Sequence, residues 1–183
     1  MKQYIYILFL GLSVIYACAP DTKGLKESFH FNLPIPSAIY TDYEIIYNDS
    51  GLTQVKISGD TLEQYNSDGT SEAQDKMKDS VHLWFYDDNM VVKSELIADN
   101  AIRNRATGYM EAFGNVIVYN SKGERLNTEH LIWDERKGQI LSNDTVVITK
   151  KNQTIKGKGL VSDQNFINYE IKNVVGNINI ERE

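Results

Sequence analysis

Cysteine and proline are scarce in this chain, and basic residues are outnumbered by acidic ones. Its 183 residues include one cysteine, Cys18, so a disulfide within the chain is impossible. With three prolines and no low-complexity run, the main body contains no evident linker. The 19 Lys and Arg against 25 Asp and Glu give a net charge of −6. This balance argues against a general nucleic-acid-binding protein, which needs basic surface to neutralise phosphates.

Motifs of the common enzyme classes are absent as well. There is no Gly-rich phosphate loop followed by Lys and Ser or Thr, and the three histidines occur in separate segments without a metal-ligand spacing. Two arrangements of titratable residues deserve testing: His130 with Asp134 as a base and its orienting group, and Glu111 with Glu129 as an acid/base pair. No activated nucleophile accompanies them, which favours Asp134 as a solvated strand end. The sequence therefore predicts a protein that is not an enzyme and needs no cofactor or metal.

One hydrophobic run stands at the amino terminus, in "MKQYIYILFLGLSVIYACAP". One early lysine and an apolar stretch too brief for a comfortable membrane span are typical of a bacterial export signal. Cys18 follows directly and resembles a lipoprotein processing site, where acyl chains would anchor the mature protein. The alternative is an uncleaved anchor helix in which Cys18 is incidental. Both interpretations place the protein outside the cytoplasm, tethered to a membrane.

The chain is thereby predicted to have three parts. Residues 1–17 are the lipoprotein signal peptide or anchor, and residues 18–37 form an extended tether that contains Pro34 and Pro36. Residues 38–183 form one folded domain of ordinary globular composition. Within that domain the polar segment "SEAQDKMKD" is predicted to be a loop.

The rest of the domain has the pattern of β-strands. Its segments are rich in Val, Ile, Tyr, Thr and Leu and are bounded by Gly, Asn, Asp or Lys. Regular short strands with turn signals between them predict an all-β antiparallel fold: a sandwich, a barrel or a jelly roll. The predicted strands are "IYTDYEIIY", "LTQVKISGDTLEQY", "VHLWFYDD", "MVVKSELIADNAIR", "YMEAFGNVIVYN", "ERLNTEHLIWD", "QILSNDTVVIT", "TIKGKGLVSD" and "YEIKNVVGNINI".

Two of the predicted hairpins look like copies of each other. Each is an apolar strand, a Lys-containing turn and a returning strand that ends in Asp. In the turn "NSKGE", Gly123 can adopt a left-handed conformation without strain; in "KKNQ", Asn152 can do so less easily. A repeated strand pair is the signature of stacked layers, and "YEIKNVVGNINI" would begin a shorter third copy. The alternative is chance, since any β-meander aligns partly with itself. The equivalent positions are Val116 and Val146, Val118 and Ile148, Leu131 and Leu160, and Asp134 and Asp163.

Several strands are apolar on both faces. Leu83 and Phe85 alternate with Trp84 and Tyr86 along one strand. A two-sheet core with one solvated side does not require this. Apolar residues on both faces predict either a covered outer face or an apolar internal groove that binds a ligand.

The ordered series "SELIADNAI", "EAFGNVIVYN", "GERLNTEHLIWD", "ILSNDTVVI" and "IKGKGLVSD" resembles the LptC-type lipopolysaccharide-export bridge proteins of the LptA/OstA-like superfamily. The likeness covers roughly residues 81–176. It departs from the family where the chain reads "KMKDSVHL", often Gly-containing in members, and "SND", more usually "SD". Family members also keep an uncleaved membrane helix, whereas this chain has the pattern of a lipoprotein.

The resemblance implies a twisted antiparallel β-jelly roll that forms an open, V-shaped trough. Acyl chains of lipopolysaccharide would lie in the trough, accepted from the permease subunits of an ABC transporter. Edge-strand addition to an OstA/LptA-like periplasmic bridge protein would continue the path to the outer membrane. The protein would reside in the periplasm, anchored to the inner membrane.

A lipid carrier in water needs a long apolar lining, because each buried methylene contributes about 0.8 kcal/mol. For each candidate, the alternative role is ordinary core packing. The lysines at 150, 151, 156 and 158 could meet lipid phosphates at the rim or could form a charged edge. The rival functions are a structural or adhesive surface lipoprotein and a carbohydrate-active jelly-roll enzyme. The predicted lining residues are Leu83, Phe85, Leu96, Ala98, Val116, Val118, Leu131, Trp133, Val146, Ile148 and Leu160.

Overall fold

The structure, a computed structural model, describes residues 35–69 and 71–176. The predicted signal or anchor, Cys18 and all but the last three residues of the predicted tether lie outside the described residues. Every regular element in the described part is a β-strand, and every pairing is antiparallel, which confirms the all-β antiparallel prediction. Among these residues there is no helix of the length and hydropathy needed to cross a membrane.

Ten strands follow one another along the described part of the chain. Their sequences are rich in β-branched and aromatic residues, which suit a pleated, half-buried surface. They are β1 (Ala38–Asp49), β2 (Leu52–Tyr65), β3 (Gln74–Tyr86), β4 (Val92–Ala98), β5 (Asn100–Asn104), β6 (Tyr109–Asn120), β7 (Arg125–Asp134), β8 (Gln139–Lys150), β9 (Gln153–Asp163) and β10 (Tyr169–Val174).

The strands form one continuous sheet in the order β1-β2-β3-β4-β6-β7-β8-β9-β10. Strand β5 pairs with β3 and β6, the same neighbours as β4. Strands β4 and β5 are thus two halves of one strand that is interrupted at Asp99. The long strand β1 and the short strand β10 are the two edges of the sheet.

A line of backbone irregularities crosses the sheet near the middle of its strands. Register shifts occur there in the pairings β2–β3, β6–β7, β7–β8 and β8–β9. Bulges of this kind bend a strand and increase its twist. We call this line the crease. Its residues with positive φ are Asp42, Asp79, Ser80, Gly114, Asn115 and Gly159.

The crease divides the sheet into two leaves that face each other. Phe85 in β3 contacts Trp133 in β7, with ring centroids 5.1 Å apart and ring planes at 85°. In a flat sheet these strands would lie about 14 Å apart, three strand spacings, so the contact requires the sheet to fold over. This arrangement is consistent with the predicted jelly roll. The front leaf contains residues 43–49, 52–59, 81–86, 92–98, 116–120, 125–128, 145–150 and 153–158; the back leaf contains 38–41, 61–65, 74–78, 100–104, 109–113, 130–134, 139–142 and 160–163.

The two similar hairpins are neighbours in the sheet, β6–β7 beside β8–β9. Their equivalent apolar positions, such as Val116 and Val146, are fully buried in both. The aspartates that end the two units also have one role: Asp134 accepts a bond from the backbone N–H of Lys137, and Asp163 from that of Ile167. Each carboxylate therefore caps the turn that follows its hairpin.

Three local predictions need correction. The segment "SEAQDKMKD" was predicted to be a loop, but β3 begins at Gln74, because alternate residues Asp75 and Met77 face the interior and bury their side chains. Asn152 does not have a positive φ; the turn between Lys150 and Gln153 closes without a left-handed residue there. The third copy is a single strand, β10, as far as the structure describes the chain.

Candidate lipid-binding interior

All the apolar side chains predicted to line a trough point into the space between the leaves. Each of the eleven is at most 2% exposed. The front leaf supplies Leu83, Phe85, Leu96, Ala98, Val116, Val118, Val146 and Ile148, and the back leaf supplies Leu131, Trp133 and Leu160. They form one continuous apolar cluster in which front and back residues meet.

Sequence reasoning missed other members of this interior. Leu126 and Leu131 are an odd number of residues apart, so strict alternation assigns them to opposite faces. Both are fully buried, because the register shift in β7 at the crease turns the second half of the strand over. Met77 was missed because its segment was predicted to be a loop, and Phe166 was missed because it lies outside any strand. The missed residues include Ile57, Met77, Ala101, Met110, Ala112, Leu126, Ile140 and Phe166.

The interior also holds a few polar side chains, and most of these are satisfied by neighbours. Thr128 donates its hydroxyl to the carbonyl of Thr145 at 3.0 Å, and Ser142 donates to the carbonyl of His130 at 2.8 Å. The indole N–H of Trp133, a residue 2% exposed, has no hydrogen-bond partner among the residues that the structure describes. A buried donor left unpaired costs free energy, and a guest with an acceptor would remove that cost.

On the side opposite the crease, near β1, charged and aromatic side chains join the leaves. The guanidinium of Arg103, on the back leaf, lies 4.9 Å from the ring of Tyr47, on the front leaf. It donates to Glu135 at 2.8 Å and lies 3.7 Å from Asp75, which also contacts Arg105 at 3.4 Å. Burial raises the pKa of the Tyr47 hydroxyl, so the ring is neutral when it meets the cation. We call these five residues the clasp.

A cleft of about 400 Å³ opens beside the clasp, between edge strand β1 and β5. Ile45 and Leu62 give it apolar walls, while Tyr40, Gln64 and Arg105 contribute polar groups. Within the described part of the chain the buried hydroxyl of Tyr43 has no hydrogen-bond partner, and burial raises its pKa. The cleft therefore combines apolar surface with free hydrogen-bonding capacity, as an amphiphilic ligand requires.

The structure does not assemble His130 and Asp134 as a catalytic pair. His130 bonds Glu111, with 3.2 Å between Nε2 and Oε2. Asp134 instead pairs with Lys137 at 2.9 Å, and this hydrogen bond to the ammonium lowers the pKa of the carboxyl group. Asp134 was predicted to be a solvated strand end, but it is 3% exposed because it caps a turn. No group of three or more potential metal ligands occurs in residues 35–69 and 71–176.

The lysines near the β8–β9 turn do not form one cluster of free cations. Lys150 contacts the carboxylate of Glu124 at 3.2 Å and lies 5.1 Å from the ring of Tyr169. Lys151, Lys156 and Lys158 are exposed along β9 and its turn. Lys158 lies opposite Asn173 of β10, so β9 is not an edge strand there, and these lysines form a charged outer surface one strand inside the edge.

Comparison with known proteins agrees with this architecture. The family described as "Lipopolysaccharide-assembly, LptC-related" matches residues 5–176, which is most of the chain. A search of curated proteins gave no significant match. A match of this extent, together with the all-β fold, shows that the chain belongs to the LptC-related family of lipopolysaccharide-assembly proteins.

Proposed function

We propose that this protein carries the acyl chains of lipopolysaccharide between its two leaves, as one passive step of export across the periplasm. The observation that supports the proposal is the continuous apolar interior, which is built from both leaves and is bordered by polar contacts on the side opposite the crease. Because each methylene transferred out of water contributes about 0.8 kcal/mol, such an interior can hold several acyl chains without specific bonds. The sugar part of the lipid would stay in water.

The interior is filled by the protein's own side chains. Acyl chains can therefore enter only when the leaves move apart, and the contacts that join the leaves opposite the crease would have to break first. Well-packed interiors resist such expansion, so binding would be modest in affinity and readily reversed. A carrier that must release its cargo needs this property.

The sheet edges suit the partners that the family implies. Within residues 35–69 and 71–176, strand β1 has one side unpaired over twelve residues, and its Ile39, Tyr40 and Ile46 are exposed. In the same part of the chain, strand β10 leaves the other edge unpaired. Unpaired edges accept strands from other proteins. We propose that one edge joins the ABC transporter permease subunits and the other an OstA/LptA-like bridge protein.

The amino-terminal segment would hold this domain in the periplasm at the inner membrane. Lipid attached to Cys18, or an uncleaved helix over residues 1–17, would provide the anchor. The driving energy would come from the transporter, in keeping with the lack of a phosphate loop in the chain.

A second candidate is a structural or adhesive surface lipoprotein, in which the same fold is simply rigid. The closely packed interior favours it, since an adhesive protein needs no space for a guest. The two functions differ in one measurable respect: only a carrier brings lipid into contact with inward-facing residues.

Photo-crosslinking of the full chain in living cells tests this difference. A photoreactive residue replaces Phe85, Val118 or Trp133 in turn, and adducts are probed for lipopolysaccharide. Exposed Lys122 and Glu129 serve as control positions. Adducts at the inward positions that disappear when cellular ATP is depleted are the expected result. Absence of adducts at all three, in a protein that is folded and exported, would favour the rigid lipoprotein instead.

A further inference from the structure

The loop between β9 and β10 joins the two leaves at the side opposite the crease. On the back-leaf side, the N–H of Gln164 donates to the carbonyl of Gly138 at 2.9 Å. On the front-leaf side, the hydroxyl of Ser94 donates to the carbonyl of Gln164 at 2.7 Å. Asn120 donates its side-chain amide to the carbonyl of Phe166, also at 2.7 Å. We call residues 164–168 the strap.

The front-leaf partners of the strap lie as far from the crease as their strands allow. Ser94 is near the start of β4, which reaches the crease at its other end, and Asn120 is the last residue of β6. Both are buried polar residues, 2% and 7% exposed. Burying such groups is costly unless they are bonded, and each finds in the strap a bond across the gap.

Phe166 extends from the strap into the interior. Its side chain is fully buried and stacks on Tyr169 of β10, with centroids 4.8 Å apart. Its φ of 52° is in the left-handed region, where a residue other than glycine is strained. The strap therefore holds a large apolar side chain inside through an unfavourable backbone conformation. Release of the side chain would relieve that strain.

Asp163 makes most of the hydrogen bonds that organise the strap, and the Ser162 hydroxyl adds one to the carbonyl of Asn168. The carboxylate of Asp163 accepts bonds from the backbone N–H groups of Ile167 and Asn168, at 3.0 and 2.9 Å, and from the Asn168 side chain at 2.8 Å. These bonds stay within the loop. The strap can therefore leave the front leaf by breaking the bonds from Ser94 and Asn120, and the turn around Asp163 opens as Phe166 withdraws and its backbone relaxes.

We propose that the strap is the door through which acyl chains enter the interior from the side, with Phe166 occupying the place that an acyl chain takes. This inference rests on the proposed lipid-carrying function and adds the site of entry. The contacts that hold the door are neutral hydrogen bonds and apolar packing. An apolar chain that replaces Phe166 restores the packing, so opening costs little once lipid is present.

Two substitutions loosen the door without altering the lining. Ser94→Ala removes one hydrogen bond across the gap. Asn120→Asp removes the other and keeps an oxygen that accepts from the N–H groups of Lys122 and Glu124, each at 3.0 Å. It also replaces the amide that donates to Glu124 Oε2 at 2.9 Å by a carboxylate, so Ser94→Ala is the cleaner of the two variants. Ser142→Ala is the matched control, because Ser142 is equally buried and donates at a similar distance within the back leaf.

Hydrogen exchange and photo-crosslinking are measured on the full chain in membrane vesicles. Each hydrogen bond lost across the gap is expected to speed exchange of the amides of residues 166–168 about fivefold. Lipopolysaccharide adducts at position 118 should then form faster by a similar factor. The Ser142→Ala variant should change neither measurement.

The outcomes separate the door from the carrier. Adducts that form at position 118 at the same rate in all variants would overturn the door and leave lipid carriage intact. Faster loop exchange without faster adduct formation would also overturn it. If the unaltered chain gives no adduct at any inward position, the carrier function fails, and the door fails with it.

Discussion

The crease and the opposite side of the interior hold the leaves together in different ways. At the crease, the leaves are joined by continuous backbone, with positive φ at residues such as Asp79 and Gly114. On the opposite side, within the described residues, they are joined by side-chain contacts such as those of the clasp and the strap. The crease is therefore a fixed hinge, and any opening of the interior must occur opposite to it.

The clasp and the strap differ in chemistry as well. Arg103 in the clasp meets two carboxylates and an aromatic ring, and its side chain is only 15% exposed. The strap is held by two neutral hydrogen bonds and by Phe166. The ion pairs of Arg103 stay on the back-leaf side, and its contact with the Tyr47 ring is the clasp contact that crosses to the front leaf. One side is therefore held by a cation against an aromatic ring, and the other by neutral hydrogen bonds and a buried apolar side chain.

The largest expected effect comes from breaking the clasp. Arg103→Met should lower the free energy of unfolding by about 3 kcal/mol, because it leaves the buried carboxylate of Asp75 short of one cation and Glu135 without its partner. Urea unfolding of the variant beside the unaltered chain measures this difference.

Arg125→Met is the control for the loss of an arginine. The Arg125 side chain is exposed and lies 5.8 Å from the ring of Tyr119 on the outside of the sheet. Its loss should change stability by no more than about 0.5 kcal/mol. Equal effects of the two substitutions would mean that the clasp is an ordinary surface feature, and the contrast with the strap would disappear.

Altering the crease should have the next largest effect. Gly114 has a φ of 78°, and an added Cβ would lie 2.7 Å from Oδ2 of Asp99, which accepts a bond from Asn115. Gly114→Ala should therefore cost about 2 kcal/mol, from left-handed strain and from the displaced carboxylate.

Gly123→Ala separates the two causes. Gly123 has a similar φ of 77°, but nothing lies within 4 Å of an added Cβ. We expect a loss of about 1 kcal/mol in its unfolding free energy, from backbone strain alone. A loss at Gly114 no greater than that at Gly123 would show that the crease yields easily and is not the fixed side.

Much of the fold could be predicted from local sequence. Strand content and the repeated hairpin follow from alternating apolar residues and from Gly123, at which the turn requires a positive φ. The eleven proposed lining residues all lie inside, because alternation holds within each half-strand. Leu126 was missed because alternation fails across the crease, where the register shift turns the strand over.

The clasp and the strap could not be predicted from the sequence, for a different reason. Tyr47 and Arg103 come together only because the sheet folds over, and no local pattern relates them. Phe166 lies in a loop, where a single apolar residue carries no periodic signal. Long-range contacts depend on how the leaves face each other, whereas the strand pattern depends on neighbours in sequence.

The smallest expected effect is the loss of a pH dependence of stability that comes from neither the clasp nor the strap. His82, on the outer surface of the front leaf, stacks on Trp84 with centroids 3.6 Å apart and bonds Glu95 at 3.0 Å. Burial lowers the pKa of His82 below the usual 6.5, although Glu95 opposes the shift. The unfolded chain therefore binds this proton more readily than the folded protein does. Stability should rise as the pH increases through the lowered pKa toward 6.5, and the gain should be complete above it.

His82→Gln should flatten this part of the stability profile, measured by urea unfolding between about pH 5 and pH 8, the range in which histidine titrates. The same substitution at the other histidine of the domain, His130→Gln on the back leaf, is the control; there the ring contacts Glu111. In the His82→Gln background, the pH dependence of stability is then compared between Arg103→Met and Ser94→Ala. A difference between these two variants reports the clasp and the strap and not His82. A slope that persists unchanged in His82→Gln would instead assign the pH dependence to other groups, and the charged clasp would be the first to examine.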